Sequence, residues 1–186
     1  MKKTLLPTKL HVGCGRVYIP GFLHIDIQPA PHIDMVAEAD NLEEIADDTV
    51  ELLYACHILE HFDRWHYKRA LAEWFRVLKL GGVLRLSVPD FAACVTVYSK
   101  VGIVGGPSSI LGLICGGQRD SFDFHKMLFD RGSLSKALSD VGFKEIRDWD
   151  WRATEHTQVD DYSQAYLPHL DKQNGTQMSL NIEAVK

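Results

Sequence analysis

Leu10-His11-Val12-Gly13-Cys14-Gly15 and, shortly downstream, Leu23-His24-Ile25-Asp26-Ile27 are the stretches that decide how this chain folds. Lys9 to Val12 reads as a short strand whose C-terminal end is a glycine pair. Glycines there let the backbone pass close to a ligand. Phe22 to Ile27 reads as the next strand, closed by Gln28-Pro29-Ala30-Pro31. Only ten residues, 16–25, separate Gly15 from Asp26, and Pro20-Gly21 interrupts them, so no proper helix fits between the strands. A dinucleotide fingerprint needs a third glycine near position 18 and a helix N-terminus facing the pyrophosphate. Tyr18 stands there instead, which disfavours NAD and FAD. Asp26 can accept hydrogen bonds from both hydroxyls of a ribose. The alternative is an aspartate that simply turns to solvent at a strand end.

Outward from this core, a weaker third strand is expected around Asp34 to Ala39. Asp40, with Glu43 three residues on, predicts a capping box that opens a short helix from Asn41 to Ala46. Asp40 could also accept a hydrogen bond from an adenine amino group. Val50 to Cys56 carries the continuous apolar run Leu52-Leu53-Tyr54-Ala55, as a strand covered on both faces requires. From about Arg64 to Lys79, Tyr67, Ala70, Leu71, Trp74 and Leu78 recur at three- and four-residue steps, predicting an amphipathic helix stopped by Gly81-Gly82. Val83 to Val88 is then a strand, Gly132 to Val141 a second amphipathic helix, and Lys144 to Trp151 and Ser179 to Val185 two further strands. The alternation gives an α/β sheet with parallel strands at its heart. The last two strands pair antiparallel, since no helix is evident between them. Residues 91–130 and 152–177 fall outside the pattern. The first, rich in glycine and placed after a strand's C-terminal end, is either a substrate lid or a loosely packed surface excursion. Trp149 and Trp151 are expected in the core.

The 186 residues suit one domain, 1–186. A formal charge of −5 gives no general pull on a phosphate backbone, so no nucleic acid partner is expected. Cys14, Cys56, Cys94 and Cys115 are widely spaced, which argues against a zinc ribbon or a disulfide framework and suits a reducing, cytoplasmic setting. The N-terminal run lacks an apolar stretch long enough for a signal peptide, and Val101 to Gly117 is too short and broken for a membrane span.

The segments Leu10 to Gly15, Tyr18-Ile19-Pro20-Gly21-Phe22 and His24-Ile25-Asp26 resemble the opening of small class I methyltransferases that use S-adenosylmethionine (SAM) and have a shortened first crossover. Ala55 to Phe62, with His57-Ile58-Leu59-Glu60-His61 inside it, resembles their fourth-strand motif, and Arg76 to Leu84 their helix-to-strand motif. The resemblance implies a Rossmann-like three-layer sandwich with a mostly parallel seven-stranded sheet, its last strands partly antiparallel. It implies that SAM lies across the C-terminal strand ends. Gly13 and Gly15 would border its methionine part, Asp26 the ribose, Asp40 the adenine and His57 the transferable methyl, with Cys14, Ile27 and Asn41 also among the cofactor-binding residues. His11 departs from the acid found at that position in many class I enzymes.

Methyl transfer to a hydroxyl is helped by a general base, and a neutral histidine serves near pH 7. His57, His61 and His125 are the candidates. His57 to His61 also spells HxxEH, a zinc peptidase pattern, but that chemistry needs both histidines on one helix face. Here the motif directly follows a strand, so no metal is expected. The acceptor suggested by the resemblance is a small molecule or a sugar-containing one, methylated at oxygen. A domain that binds SAM without catalysis is the competing reading.

Overall fold

The parallel register of β1 (Lys9–Val12) between β2 (Leu23–Asp26) and β4 (Val50–Cys56) organises the computed structural model, which describes residues 8–102 and 109–186. Adding β3 (Met35–Val36), β5 (Leu78–Pro89), β6 (Lys144–Asp148) and β9 (Ser179–Val185) completes a seven-stranded sheet of order β3-β2-β1-β4-β5-β9-β6. The first five strands in that order run parallel. β9 pairs antiparallel with both β5 and β6, as expected for strands without a helical crossover. Residues 166–167 (β7) and 176–177 (β8) form a separate small hairpin.

Both faces of β4 are buried, and alternate residues divide between two cores. Leu53 and Ala55 join the larger one, which includes Ala70, Leu71, Trp74 and Val77 of α1 (Tyr67–Val77) and Leu134, Ala137 and Leu138 of α4 (Arg131–Val141). Leu52 and Tyr54 join Ile19, Phe22 and Trp149 on the other face. The third layer is therefore made largely of irregular chain. Trp149 reaches into it as the sequence suggests, donating from Nε1 to the Leu86 carbonyl at 3.0 Å.

Two expected boundaries give way to side-chain chemistry. Residues 41–46 form turns, not a helix. Arg76 donates to the Leu42 and Ile45 carbonyls (both 2.9 Å), Glu73 accepts the Leu42 N–H (2.7 Å), and Asp40 pairs with Arg69. Side chains of α1 thus hold the polar backbone groups of this segment in a turn. That helix also ends earlier than Gly81-Gly82, because Leu78 is already extended and paired with Val50 in β5. The glycines instead lie within β5. A Cβ on Gly82 would come within 2.8 Å of both the Lys79 and Val50 carbonyl oxygens.

The segment after β5 carries α2 (Phe91–Val101), capped by the Asp90 side chain, and α3 (Leu111–Cys115), rather than a wholly irregular lid. Residues 103–108 lie outside the described part. The polar stretch 152–177 is tied to β4 by Asp161, whose carboxylate accepts from the Tyr54 hydroxyl at 2.6 Å and from Ser163 N–H at 2.9 Å.

In place of a first helix, the connection from Gly15 to β2 is tied down by one imidazole. His24 is fully buried; its Nε2 accepts the Ile19 N–H at 2.9 Å, and its Nδ1 donates to Asp34 at 3.2 Å. Tyr18 stacks on the ring at 4.8 Å. His24→Ala is expected to leave a buried N–H without an acceptor and to cost about 1–3 kcal/mol in urea unfolding. Beside it, burial holds His11 at about 3, against an ordinary 6.5. The unfolded chain takes up that proton below about pH 6.5 and the folded chain refuses it until about pH 3. His11 therefore favours folding fully above the upper value and progressively less as pH falls through this window. A stability–pH curve should lose up to about 1.4 kcal/mol per pH unit there from this group, and His11→Phe should flatten it by that amount.

Candidate active site

Gly13, Cys14 and Gly15 turn the chain at the end of β1. Gly13 and Gly15 have φ of +63° and +56°, the left-handed region that favours glycine. Gly13 is required a second time, because a Cβ there would lie 2.5 Å from Cγ1 of Ile58. This contact sets the turn after β1 directly against the residue that follows His57. A Cβ on Gly15 would meet nothing within 4 Å. The Gly15 N–H donates to Asp26 Oδ2 (2.8 Å) and the Gln28 N–H to Oδ1 (2.9 Å). Each carboxylate oxygen keeps further acceptor capacity, so Asp26 can still take hydroxyl donors such as those of a ribose. Ile27, next to it, is partly exposed. Cys14 is a buried thiol pushed up to about 12 by burial, and burial also raises Cys56 well above its ordinary value. Neither offers a thiolate nucleophile.

Asp40 and Asn41 follow β3. The Asp40 carboxylate is largely buried and 3.3 Å from Arg69 Nε, so any contact with an adenine would be shared with this ion pair. Asn41 is exposed and helps line a surface recess with Val36 and Glu38.

At the end of β4 the chain turns sharply. His57 has φ +52°, an unusual conformation for a residue with a Cβ, and its N–H donates to the Ser87 carbonyl at 2.9 Å. Residues Leu59–His61 then form a single 3₁₀ turn. The HxxEH stretch is thus not the α-helix that a zinc peptidase needs. His57 Nε2 lies 2.9 Å from Ser179 Oγ, and that hydroxyl donates to the Tyr162 carbonyl at 2.5 Å. Nε2 therefore carries the proton and donates, leaving Nδ1 as the basic nitrogen, 3.4 Å from Glu60 Oε1. Tyr162, 61% exposed, lies over the His57 ring at 5.2 Å.

His61 and His125, distant in sequence, have ring centroids 4.8 Å apart. Between them and His57 sits Glu60, wholly buried, with burial raising its carboxyl to about 8. Burial likewise holds His57 down at about 3 and lowers His61 and His125, so all three rings stay neutral near pH 7. The structure therefore gathers the three candidate histidines into one cluster, beside the glycine turn of β1. Sequence reasoning passed over Glu60 outside the peptidase pattern, and it passed over Ser179. No spacing signals that β9 delivers a serine to the end of β4.

The contrast between the two glycines is directly measurable. Gly15→Ala should lose about 1–2 kcal/mol of stability from its left-handed backbone alone. Gly13→Ala should lose about 1–3 kcal/mol more, from overpacking against Ile58. Paired urea melts of the two variants would give the difference.

Residues 10–86 match the family described as methyltransferase domain. No curated protein matches the chain. Among solved structures, a SAM-dependent methyltransferase from Archaeoglobus fulgidus is similar at a TM-score of 0.58 and 16% identity, covering 96% of this chain and 85% of that one. One from Mesorhizobium loti gives 0.53 and 17%, covering 96% and 90%. The 1,6-didemethyltoxoflavin-N1-methyltransferase of Burkholderia thailandensis, solved with bound 1,6-didemethyltoxoflavin and S-adenosylhomocysteine, gives 0.58 and 13%, covering 96% and 70%. At such identities the likeness is one of fold. The family match covers residues 10–86, less than half of the chain, and together the comparisons show a methyltransferase-like α/β fold.

Proposed function

We propose that this protein transfers a methyl group from SAM to a hydroxyl of a small-molecule or sugar-containing acceptor. The observation that carries the reading is the Gly13–Ile58 contact, which joins the glycine turn of β1 to the histidine cluster after β4. Gly13, Cys14 and Gly15 would border the methionine part of SAM, Asp26 and Ile27 its ribose, Asp40 and Asn41 its adenine. His57 would stand at the reacting end. Bound SAM supplies an electrophilic methyl group on a sulfonium.

The chain's own residues supply orientation, exclusion of water and a place for a proton. His61 Nδ1 faces the Phe122 carbonyl at 2.7 Å and His125 Nδ1 the Leu113 carbonyl at 2.9 Å, so both rings donate there and keep Nε2 basic. With no ion bound there, either Nε2 can receive the proton of an acceptor hydroxyl. A hydroxyl must give up its proton as it attacks, a role that a neutral imidazole can fill, and the lean toward oxygen rests otherwise on the resemblance to the family. His57, whose Nε2 is engaged with Ser179, walls the site and positions its neighbours. Of the expected lid 91–130, the described residues 91–102 and 109–130, which deliver His125, would cover the acceptor. With a net charge of −5, a nucleic acid acceptor is disfavoured.

Isothermal titration with SAM, then transfer of labelled methyl to a panel of sugars and small hydroxyl compounds, tests this reading. Asp26→Asn should bind SAM about 10–100-fold more weakly, as loss of a charge-assisted contact predicts. Folded wild-type protein that does not bind SAM would overturn the proposal. Tight binding without transfer to any acceptor would instead support a non-catalytic SAM-binding domain.

A further inference from the structure

Around Glu60 the chain has collected hydrogen-bond acceptors and almost no donors. Both carboxylate oxygens of Glu60 are buried without a hydrogen-bond partner. His61 and His125 have each spent Nδ1–H on a backbone carbonyl, so the nitrogen left on each ring is a lone pair. His125 Nε2 is 3.8 Å from Glu60 Oε1, and the lone pair of His57 Nδ1 is 3.4 Å from the same oxygen. One ligand atom from each of Glu60, His61 and His125 can be chosen so that all lie within 4.8 Å of one another. The arrangement is held firmly, because the Glu60 carbonyl accepts the N–H groups of Lys126 (2.7 Å) and Met127 (3.1 Å) on the strand-like return after His125.

A buried carboxylate facing lone pairs is costly unless something positive sits among them. We propose that Glu60, His61 and His125 bind a divalent transition metal ion. Two imidazoles and one carboxylate suit borderline ions such as Zn²⁺, Co²⁺ or Fe²⁺ better than Mg²⁺ or Ca²⁺, which take oxygen-rich sets. Backbone carbonyls that hold each imidazole by Nδ1–H are the outer contacts that commonly orient metal-binding histidines. The ligand set differs from that of the HxxEH pattern. His125 replaces His57, which is held by Ser179. The competing occupant is a proton on Glu60, shared with His57 Nδ1. On the methyltransferase reading, the ion would stand on the acceptor side, and His61 and His125 would be its ligands rather than proton acceptors. An acceptor hydroxyl would then be held through its oxygen.

Chelator-treated protein titrated with Co²⁺ and Zn²⁺, followed by calorimetry and by the visible absorption of Co²⁺, tests the assignment. One equivalent should bind. Glu60→Gln and His125→Gln should each weaken it at least about tenfold, while the surface variant His66→Ala should not. SAM affinity and circular dichroism of the same samples report folding. Wild-type protein that takes up no stoichiometric metal overturns the proposal without any variant. So does binding that Glu60→Gln and His125→Gln leave unchanged, which would assign the proton to Glu60. Loss of SAM binding with metal uptake intact would instead count against the methyltransferase reading alone.

Discussion

The rest of the site depends on one close approach, that of the Gly13 backbone to the Ile58 side chain. β1 and β4 are neighbours in the sheet, and their C-terminal ends must turn away side by side. A side chain at position 13 would push these turns apart. With glycine there, the segment that reads as a SAM-binding turn and the segment that carries His57, Glu60 and His61 share one edge. Both turns are left-handed, one at a glycine and one at His57, where the residue has a Cβ. A strained residue held in place by a network of contacts is a common mark of a working site. The tie from His57 to Ser179 and onward to Tyr162 is what holds it here.

Shortening the first crossover removes a helix from one face of the sheet, and the chain compensates with polar anchors. His24 takes the place of helical hydrogen bonds by accepting the Ile19 N–H. Asp161 ties residues 161–163 to Tyr54 on the same face. On the opposite face Arg76 and Glu73 fix the 41–47 turn, with two bonds between their own side chains at 2.8 Å. Such bonds are individually modest, but each satisfies a group that would otherwise be buried unpaired. The loops that border the site are thereby kept in place without regular secondary structure.

Electrostatically the surroundings of Glu60 are unusual in their excess of lone pairs. Neutral histidines and a carboxyl with a raised pKa follow from the same cause, burial without donors. That environment suits a proton or a cation.

Much of the sheet was legible in the residues themselves, because period and punctuation are local. The continuous run in β4, the stripe of α1, the Gly142 stop after α4 and the glycines after β1 each state their structure within a few positions. The antiparallel ending followed from the missing helix between β6 and β9. The 41–46 turn was misread because its capping residues are genuine helix signals, outcompeted by Arg76 and Glu73 from a distant helix. The end of α1 differs because Gly82, which looks like a stop, serves a close passage between strands. What tertiary structure alone decided is the company of Glu60: His125 and Ser179 arrive from segments 65 and 119 residues away, through backbone contacts that leave no trace in composition or spacing.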